Sequence, residues 1–529
     1  MEPRTLKNSS AVNAVNYIIQ GYYNKTPINL PENVSNLVFE LVNNKRKNLS
    51  EDKRKEVDEV LNRMRNVSVM KFSCFTDYET DILLVRDKNI QSLALGIVKK
   101  EEESEKDDGP PRKKPKKQNA EGEVDLVSLL RNNLTHEAQQ NLVELEISQN
   151  PYKRASFKRG WAQPLAQLLP SLRILNIANQ QIGLNDLTND FGDLCDSMPN
   201  LVSLNVDKIL LVNMRGISRL VCLEDLTIGF VRWTDEIYDL KKLKKLHFGD
   251  EEIYTGPMKE FIKSDKSLFS LEVLHCSDQL RLNNEELKRV ERRHPKLKRI
   301  IATNTDLKNY TTDKKDIVFI TDDTITNCVQ AIEYYESQLH HEQIRRILQK
   351  IYKHLSNAVE ADELEMLNRK LHQWIPKYEE DSDIMKYSQY CCDSLIRNHL
   401  QLLDENNKHI LIVNFLKSVK QPGYFETSWN RIKEVLNNTR NPQADLIVST
   451  ALKIFLSTNE KLWRYKLMEL IDLLLEKVNI QSDFFEGMDK QKLLCGLKKF
   501  LPCSKRKIRY TEEFHKTLNK IIEMLSSTF

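Results

Sequence analysis

The residues with the most reactive side chains in this sequence are nine cysteines and eleven histidines. Their spacing decides what they could do. A structural zinc site draws on cysteine and histidine pairs two to five residues apart. No C-x-x-C pair occurs; Cys391 and Cys392 are adjacent, and Cys495 and Cys503 lie eight apart. His340, His341 and His354 sit in one helical stretch without an acid or thiol at ligand spacing, and read as exposed polar-face residues. Cys74 and Cys276 fall in or beside strand-like segments, where a thiol is more often a small core residue than a nucleophile. The phosphate-cradling G-x-x-x-x-G-K-[ST], the dinucleotide G-x-G-x-x-G and the zinc-hydrolase H-E-x-x-H are all absent. The expectation is no catalytic residue, no metal ligand and no cofactor, with function carried by surfaces.

Those surfaces need elements to hold them. The chain has 529 residues, enough for two or three domains with real cores. Lys and Arg total 80 against 76 Asp and Glu, so no global field favours nucleic acid. The N-terminus "MEPRTLKNSS" lacks the apolar core of a signal peptide, and no run approaches the roughly 18 apolar residues of a membrane span. The cysteines therefore read as reduced thiols of the cytosol or nucleus.

One pattern recurs: apolar-x-x-apolar-x-apolar. It runs through Leu142/Leu145/Ile147, Leu172/Leu175/Ile177, Leu201/Leu204/Val206 and Leu223/Leu226/Ile228. It continues at Leu243/Leu246/Phe248, Leu271/Leu274/Cys276 and, more weakly, Leu297/Ile300/Ala302. The intervals are 30, 29, 22, 20, 28 and 26 residues, which bracket the leucine-rich-repeat period. Val67/Met70/Phe72 and Ile90/Leu93/Leu95 fit as two earlier turns. Each segment is a short strand that cannot bury its own face, so the turns must stack as a solenoid. The asparagine expected after the strand is legible only at Asn179.

The segment Lys99–Glu123 interrupts the series with three prolines and no apolar residue before Ala120, and reads as a disordered insertion. Within it Arg112, Lys113, Lys114, Lys116 and Lys117 form the compact basic cluster of a nuclear import signal or, alternatively, a solvated charge run. Nucleic-acid binding fits less well, because no aromatic is interleaved. The expected location is nucleus and cytoplasm.

After about Tyr310 the period changes. Ile344, Ile347, Leu348, Ile351 and Leu355 form a 3.6-residue stripe, as do Leu467, Ile471, Leu474 and Val478. An all-α armadillo/HEAT-like array is expected over 311–529, with a compact bundle as the alternative. The domain reading is a helical box at 1–50, an α/β leucine-rich-repeat solenoid at 51–310 containing the insertion 99–123, and the helical domain at 311–529. Trp161, Trp233, Trp374 and Trp429 are candidate contact anchors or, alternatively, core residues.

Near the N-terminus, "INLPENVSNLVFELV" places Val34, Leu37, Val38 and Leu41 on one apolar face behind Pro31, with Val12, Val15 and Ile19 on the preceding helix. Such a helix pair needs a partner, either the first solenoid turn or a helical adaptor. This layout of box, leucine-rich turns and helical repeats resembles the Zyg-eleven-type substrate receptors of cullin-2 ubiquitin ligases. The resemblance implies that Leu30, Pro31, Val34 and Val38 touch cullin-2 and that Ala14 and Ile18 touch elongin C, with Ser10 where the family has leucine. An alternative register of the first helix uses Ala11, Val15 and Ile19. The family's substrate pocket maps onto "LNNTRN", where Leu436 replaces a tryptophan and Arg440 an aspartate, so the pocket is not carried over. The implied function is a non-catalytic receptor for an unknown protein substrate. The alternatives are an F-box-like receptor of a different cullin, and a nuclear or cytoplasmic scaffold without a ligase.

Overall fold

The computed structural model describes residues 3–21, 30–46, 49–64, 66–72, 78–97, 123–149, 156–178, 187–209, 214–229, 233–249, 256–279, 282–307, 310–418 apart from 311, 313, 315, 339 and 380, and then 429–433, 436, 444–457, 461–475, 494, 496–498 and 512–527. The basic cluster Arg112–Lys117, Asn179, Cys74 and the segment 437–441 lie outside them. The chain divides into two compact units, Met1–Phe319 and Ile320–Phe529.

The first unit is a mixed α/β repeat structure around a ten-stranded sheet whose strands follow chain order. They are Val69–Lys71, Ser92–Ile97, Glu144–Gln149, Ile174–Asn176, Ser203–Val206, Asp225–Ile228, Lys245–Phe248, Val273–His275, Arg299–Ile301 and Val318–Ile320. The first nine pair in parallel. Register follows the motif: Met70, Leu93, Leu145, Leu175, Leu204, Leu226, Leu246, Leu274 and Ile300 stand directly opposite one another. All nine are buried, as are the first and third motif positions on either side. A one-residue slip would turn this whole row to the other face, so burial of the row fixes the register. Helices such as Ala162–Leu168, Leu187–Ser197 and Asn284–Arg293 return the chain between strands. The last strand, Val318–Ile320, belongs to a turn that the six-residue pattern does not reveal.

Polar side chains knit the strand ends. Asn176 and Asn205 accept from the backbone N–H of Ala178 and Asp207, at 3.1 and 3.0 Å. The repeat asparagine thus follows the middle leucine directly. Further along, Ser277 Oγ accepts from both the N–H and the hydroxyl of Thr303.

An aromatic group fills the middle of this unit. Trp233 meets Tyr238 and Phe261, and Phe261 stacks on His294 at 5.0 Å between ring centroids. Trp161 is buried against Phe157, and in the second unit Trp374 and Trp429 are buried. Of the two readings for the four tryptophans, burial selects core packing for these three, and Trp233 is half-buried in its aromatic group.

His294 is fully buried, and its Nδ1 accepts from the Leu268 N–H at 3.1 Å, so the ring is neutral. Burial pushes its pKa down from 6.5 to about 4, with the Leu268 carbonyl opposing and the Arg293 charge helping. The unfolded chain then binds a proton that the folded one refuses as pH falls from 6.5 to about 4, so stability is lost across that window as pH falls. Denaturant titrations of wild type at pH 7 and pH 4.5 should show a His294-dependent loss of up to about 3 kcal/mol, absent from His294→Gln. An equal loss in the variant would remove His294 as its source.

The second unit is helical. Ile325–Ser337, Ala361–Lys377, Glu405–Ser418 and Ala444–Ser457 pack successively in one layer, and His341–His354 packs on Ser382–Ser394 in another. Adjacent and alternate helices both pack on one another, as in a repeat-type fold. Ile344, Ile347, Leu348, Ile351 and Leu355 point inward. Buried amides join neighbouring helices of the first layer: Asn368 Nδ2 donates to the Asn407 carbonyl at 2.7 Å, and Asn414 Nδ2 donates to Asn368 Oδ1 at 3.0 Å. His354 bonds the Asp322 carbonyl at 2.9 Å and His341 meets Asp381 at 3.1 Å. His354 is therefore half-buried and tied down, not a free polar-face residue.

Candidate functional site

The N-terminal box is where the sequence points, and its geometry starts from an edge. Val69–Lys71 is the first strand of the sheet, and an open strand edge presents unpaired N–H and C=O groups. Helix Glu32–Arg46 lies over that edge. Asn36 Oδ1 accepts from the N–H groups of Ser68 and Val69 at 2.9 and 3.2 Å, and Asn43 Nδ2 donates to the Lys71 carbonyl at 2.9 Å. Asn36 and Asn43 are seven residues apart, two helical turns, and so share a face. Ser68 Oγ donates to the Glu32 carboxylate. Phe39 packs edge-on against Phe72, with ring centroids 5.7 Å apart.

Two buried ionic groups hold the box to the next helices. Arg46 donates to both oxygens of Asp58 and, at 2.5 Å, to Asp81, which is itself almost wholly buried. This ties Glu32–Arg46 to helices Glu51–Arg63 and Tyr78–Leu83. Lys88 Nζ donates to the carbonyls of Leu61, Asn62 and Met64 at 3.1, 3.1 and 2.8 Å, closing the C-terminal end of Glu51–Arg63. Burial pulls its ammonium down to about 8, with Asp87 opposing.

Against this frame the six predicted contact residues separate. Ile18 and Val38 are 2% and 0% exposed and belong to the core of the first unit. Ala14, Leu30 and Val34 are half-buried against it, and Pro31 is exposed. The expected face of Val34, Leu37, Val38 and Leu41 is therefore divided. Val38 turns inward with Phe39 and Val42, while Val34, Leu37 and Leu41 keep part of their surface open. On the helix Pro3–Gln20, Ala11, Val15 and Ile18 point inward. Tyr17 is 49% exposed. Pro31 precedes the helix, and its carbonyl accepts from Ser35 N–H at 2.9 Å, so its missing N–H costs no bond. Leu30 is fixed through its carbonyl, which accepts from Ser35 Oγ and Asn66 Nδ2 at 3.2 and 2.9 Å.

Comparison with known proteins gives a distant likeness. No family model matches the sequence. Over 233 residues it is 26% identical to Gastrulation-defective protein 3 of Caenorhabditis elegans. The match covers 43% of this chain and 31% of the length of that relative.

Five of the described thiols are held back by burial. Cys195 and Cys276 are pushed up to about 12, and Cys328, Cys391 and Cys392 well above the ordinary thiol value. A thiol with so high a pKa is a poor nucleophile near neutrality. Among the described residues, no group of three His, Cys, Asp or Glu side chains could hold a metal ion, and no helix is long and apolar enough to cross a membrane. Sequence reading missed the clamp residues Asn36, Asn43, Arg46 and Lys88. The repeated asparagine at 36 and 43 on a helix beside the first strand is the signal that could have exposed part of it.

Proposed function

We propose that this chain is a non-catalytic substrate-recognition subunit of a cullin-RING ubiquitin ligase of the Zyg-eleven type. On this reading the first unit is a leucine-rich-repeat solenoid and the second an armadillo-like helical domain. The chain holds a target protein near the ubiquitin-transfer machinery of its partner subunits, and its own contribution is proximity and orientation. The observation that carries the reading is the Leu-Pro-x-x-Val opening of helix Glu32–Arg46. Leu30, Pro31 and Val34 keep open surface at the helix start while the rest of the helix is anchored on the sheet edge. A short apolar surface on a rigid element is suited to a helical partner. The layout of repeat strands followed by layered helices supports it, and so does the distant likeness to Gastrulation-defective protein 3.

In this proposal cullin-2 is met by Leu30, Pro31 and Val34. Elongin C is met on the first helix around Ala14. Ile18 and Val38 support these contacts from within the core. The test is co-purification from cells of wild type and of the Leu30→Ala/Pro31→Ala variant. Truncating these side chains leaves the backbone bonds of Leu30 and Pro31 in place, so the fold should persist. Wild type should bring down elongin C and cullin-2, and the variant should lose cullin-2 by about tenfold or more. If wild type brings down neither, the ligase reading fails and a binding scaffold without a ligase stands in its place.

A further inference from the structure

The turns that lead into the strands line one edge of the first unit. Pro170, Pro199, Val221, Lys241, Phe269 and Pro295 are all exposed. Each stands four residues ahead of a strand residue, from Ile174 through Arg299, that is paired with its neighbours in register. Parallel pairing therefore sets the six in one row, about 4.8 Å from strand to strand. Five of the six are apolar. Val221 and Phe269 are 60% and 67% exposed, the most open of the large apolar side chains described. A lone exposed apolar residue needs no explanation, but these two share a row, two strands or about 10 Å apart.

The charge of the row has one sign. Lys241 stands between Val221 and Phe269. The next turn positions carry Lys242 and Lys296, both exposed and without an ion pair among the described residues. These two positions, taken over all six turns, hold three lysines and no acid. Lys241 comes within 4.0 Å of the exposed Asp239, and Lys242 Nζ reaches the Cys222 sulfur at 3.8 Å. Glu224 and Glu272 flank the row, but Lys244 and Lys298 pair with them at 2.8 and 3.0 Å, so the row stays positive.

We propose that this edge docks on an anionic lipid bilayer. Val221 and Phe269 enter the interface, and Lys241, Lys242 and Lys296 meet the negative headgroups. Apolar tips between lysines suit a lipid surface, where buried apolar area and attraction to anionic headgroups add. A row of single tips offers a protein segment no groove to lie in, whereas a lipid interface needs none. The edge runs along the fourth to ninth strands, while the helix Glu32–Arg46 caps the first. Its fate is therefore independent of the ligase reading.

The test is co-sedimentation of the full chain with vesicles of phosphatidylcholine, alone or mixed with phosphatidylserine. The mixed vesicles should bind at least about tenfold better, and binding should fall several-fold as ionic strength rises. Val221→Ser/Phe269→Ser should weaken binding by about tenfold. Lys241→Gln/Lys242→Gln/Lys296→Gln should reduce it to the level of phosphatidylcholine alone. All five side chains are exposed, so circular dichroism and urea midpoints of both variants should match wild type. Absence of binding to mixed vesicles overturns the proposal. So does equal binding to both vesicles, or binding indifferent to the Val221 and Phe269 changes. If soluble poly-glutamate binds with the same lysine dependence while vesicles do not, the edge serves an acidic protein and the proposal fails. Should a variant unfold, the vesicle and salt comparisons on wild type decide alone.

Discussion

Replacing Arg46 with alanine is expected to destabilise the first unit by about 3–5 kcal/mol. The guanidinium and Asp81 are both nearly inaccessible to water, so removing the cation takes away the charge that balances the carboxylates of Asp58 and Asp81. Desolvating a lone charge is far costlier than losing a surface pair, because no solvent replaces the missing partner. The contrast is Lys55→Ala, which breaks the exposed Lys55–Glu51 pair and should shift stability by less than about 1 kcal/mol. Equilibrium urea unfolding followed by circular dichroism measures both. Joint replacement of Arg46, Asp58 and Asp81 by Met, Leu and Leu should recover most of the loss, since apolar side chains of similar size leave no stranded charge. If Arg46→Ala costs no more than Lys55→Ala, the buried trio is not what ties the box to the solenoid. The variant matters for function too: once Glu32–Arg46 loosens, the Leu30–Pro31 surface loses the element that holds it. Partner loss in Arg46→Ala would therefore follow from unfolding of the cap, whereas loss in Leu30→Ala/Pro31→Ala would follow from the contact itself.

Leu226→Ala is expected to cost about 3–5 kcal/mol. Leu226 stands mid-sheet, between Leu204 and Leu246 in the buried row, and is itself fully buried. Its loss leaves a cavity that neither neighbour can fill without shifting its own strand. In a linear array each turn is stabilised mainly by its neighbours, so a gap at the centre weakens two interfaces at once. Leu226→Met, which conserves volume, should cost under about 1.5 kcal/mol. Thr227→Ala, on the half-exposed face of the same strand, should stay within about 0.5 kcal/mol. Urea midpoints in the order wild type, Thr227→Ala, Leu226→Met, Leu226→Ala would match the packing. An equal response at 226 and 227 would contradict the alternation that the register imposes.

The repeat strands were legible in the sequence because the constraint is local and repeated. Three buried positions recur at each turn, and a strand with one buried face allows few other placements. The apolar stripes of the helical unit were legible for the same reason. The role of Asn176 and Asn205 was not legible, because accepting a backbone N–H just beyond the strand follows from strand-end geometry. The last strand, Val318–Ile320, escaped because its apolar pattern is too short to declare itself.

What the sequence by itself determined about this protein is the identity of its buried rows: Met70 through Ile300 in the sheet, and Ile344 through Leu355 in the helices. Local periodicity suffices for that, since the hydrophobic effect acts on each segment's pattern alone. Only the tertiary structure decided which apolar residues of the N-terminal box remain available. Val34 and Val38 differ by one helical turn and by nothing in composition, yet Val38 is sealed against the first strands and Val34 is half open. That division depends on the rotation of Glu32–Arg46 about its axis. The rotation is set by bonds from Asn36, Asn43 and Arg46 to residues about 12 to 35 positions away in the chain. Contacts of that separation leave no periodic trace, so the surface offered to a partner became readable only once the edge strand and its cap were seen together.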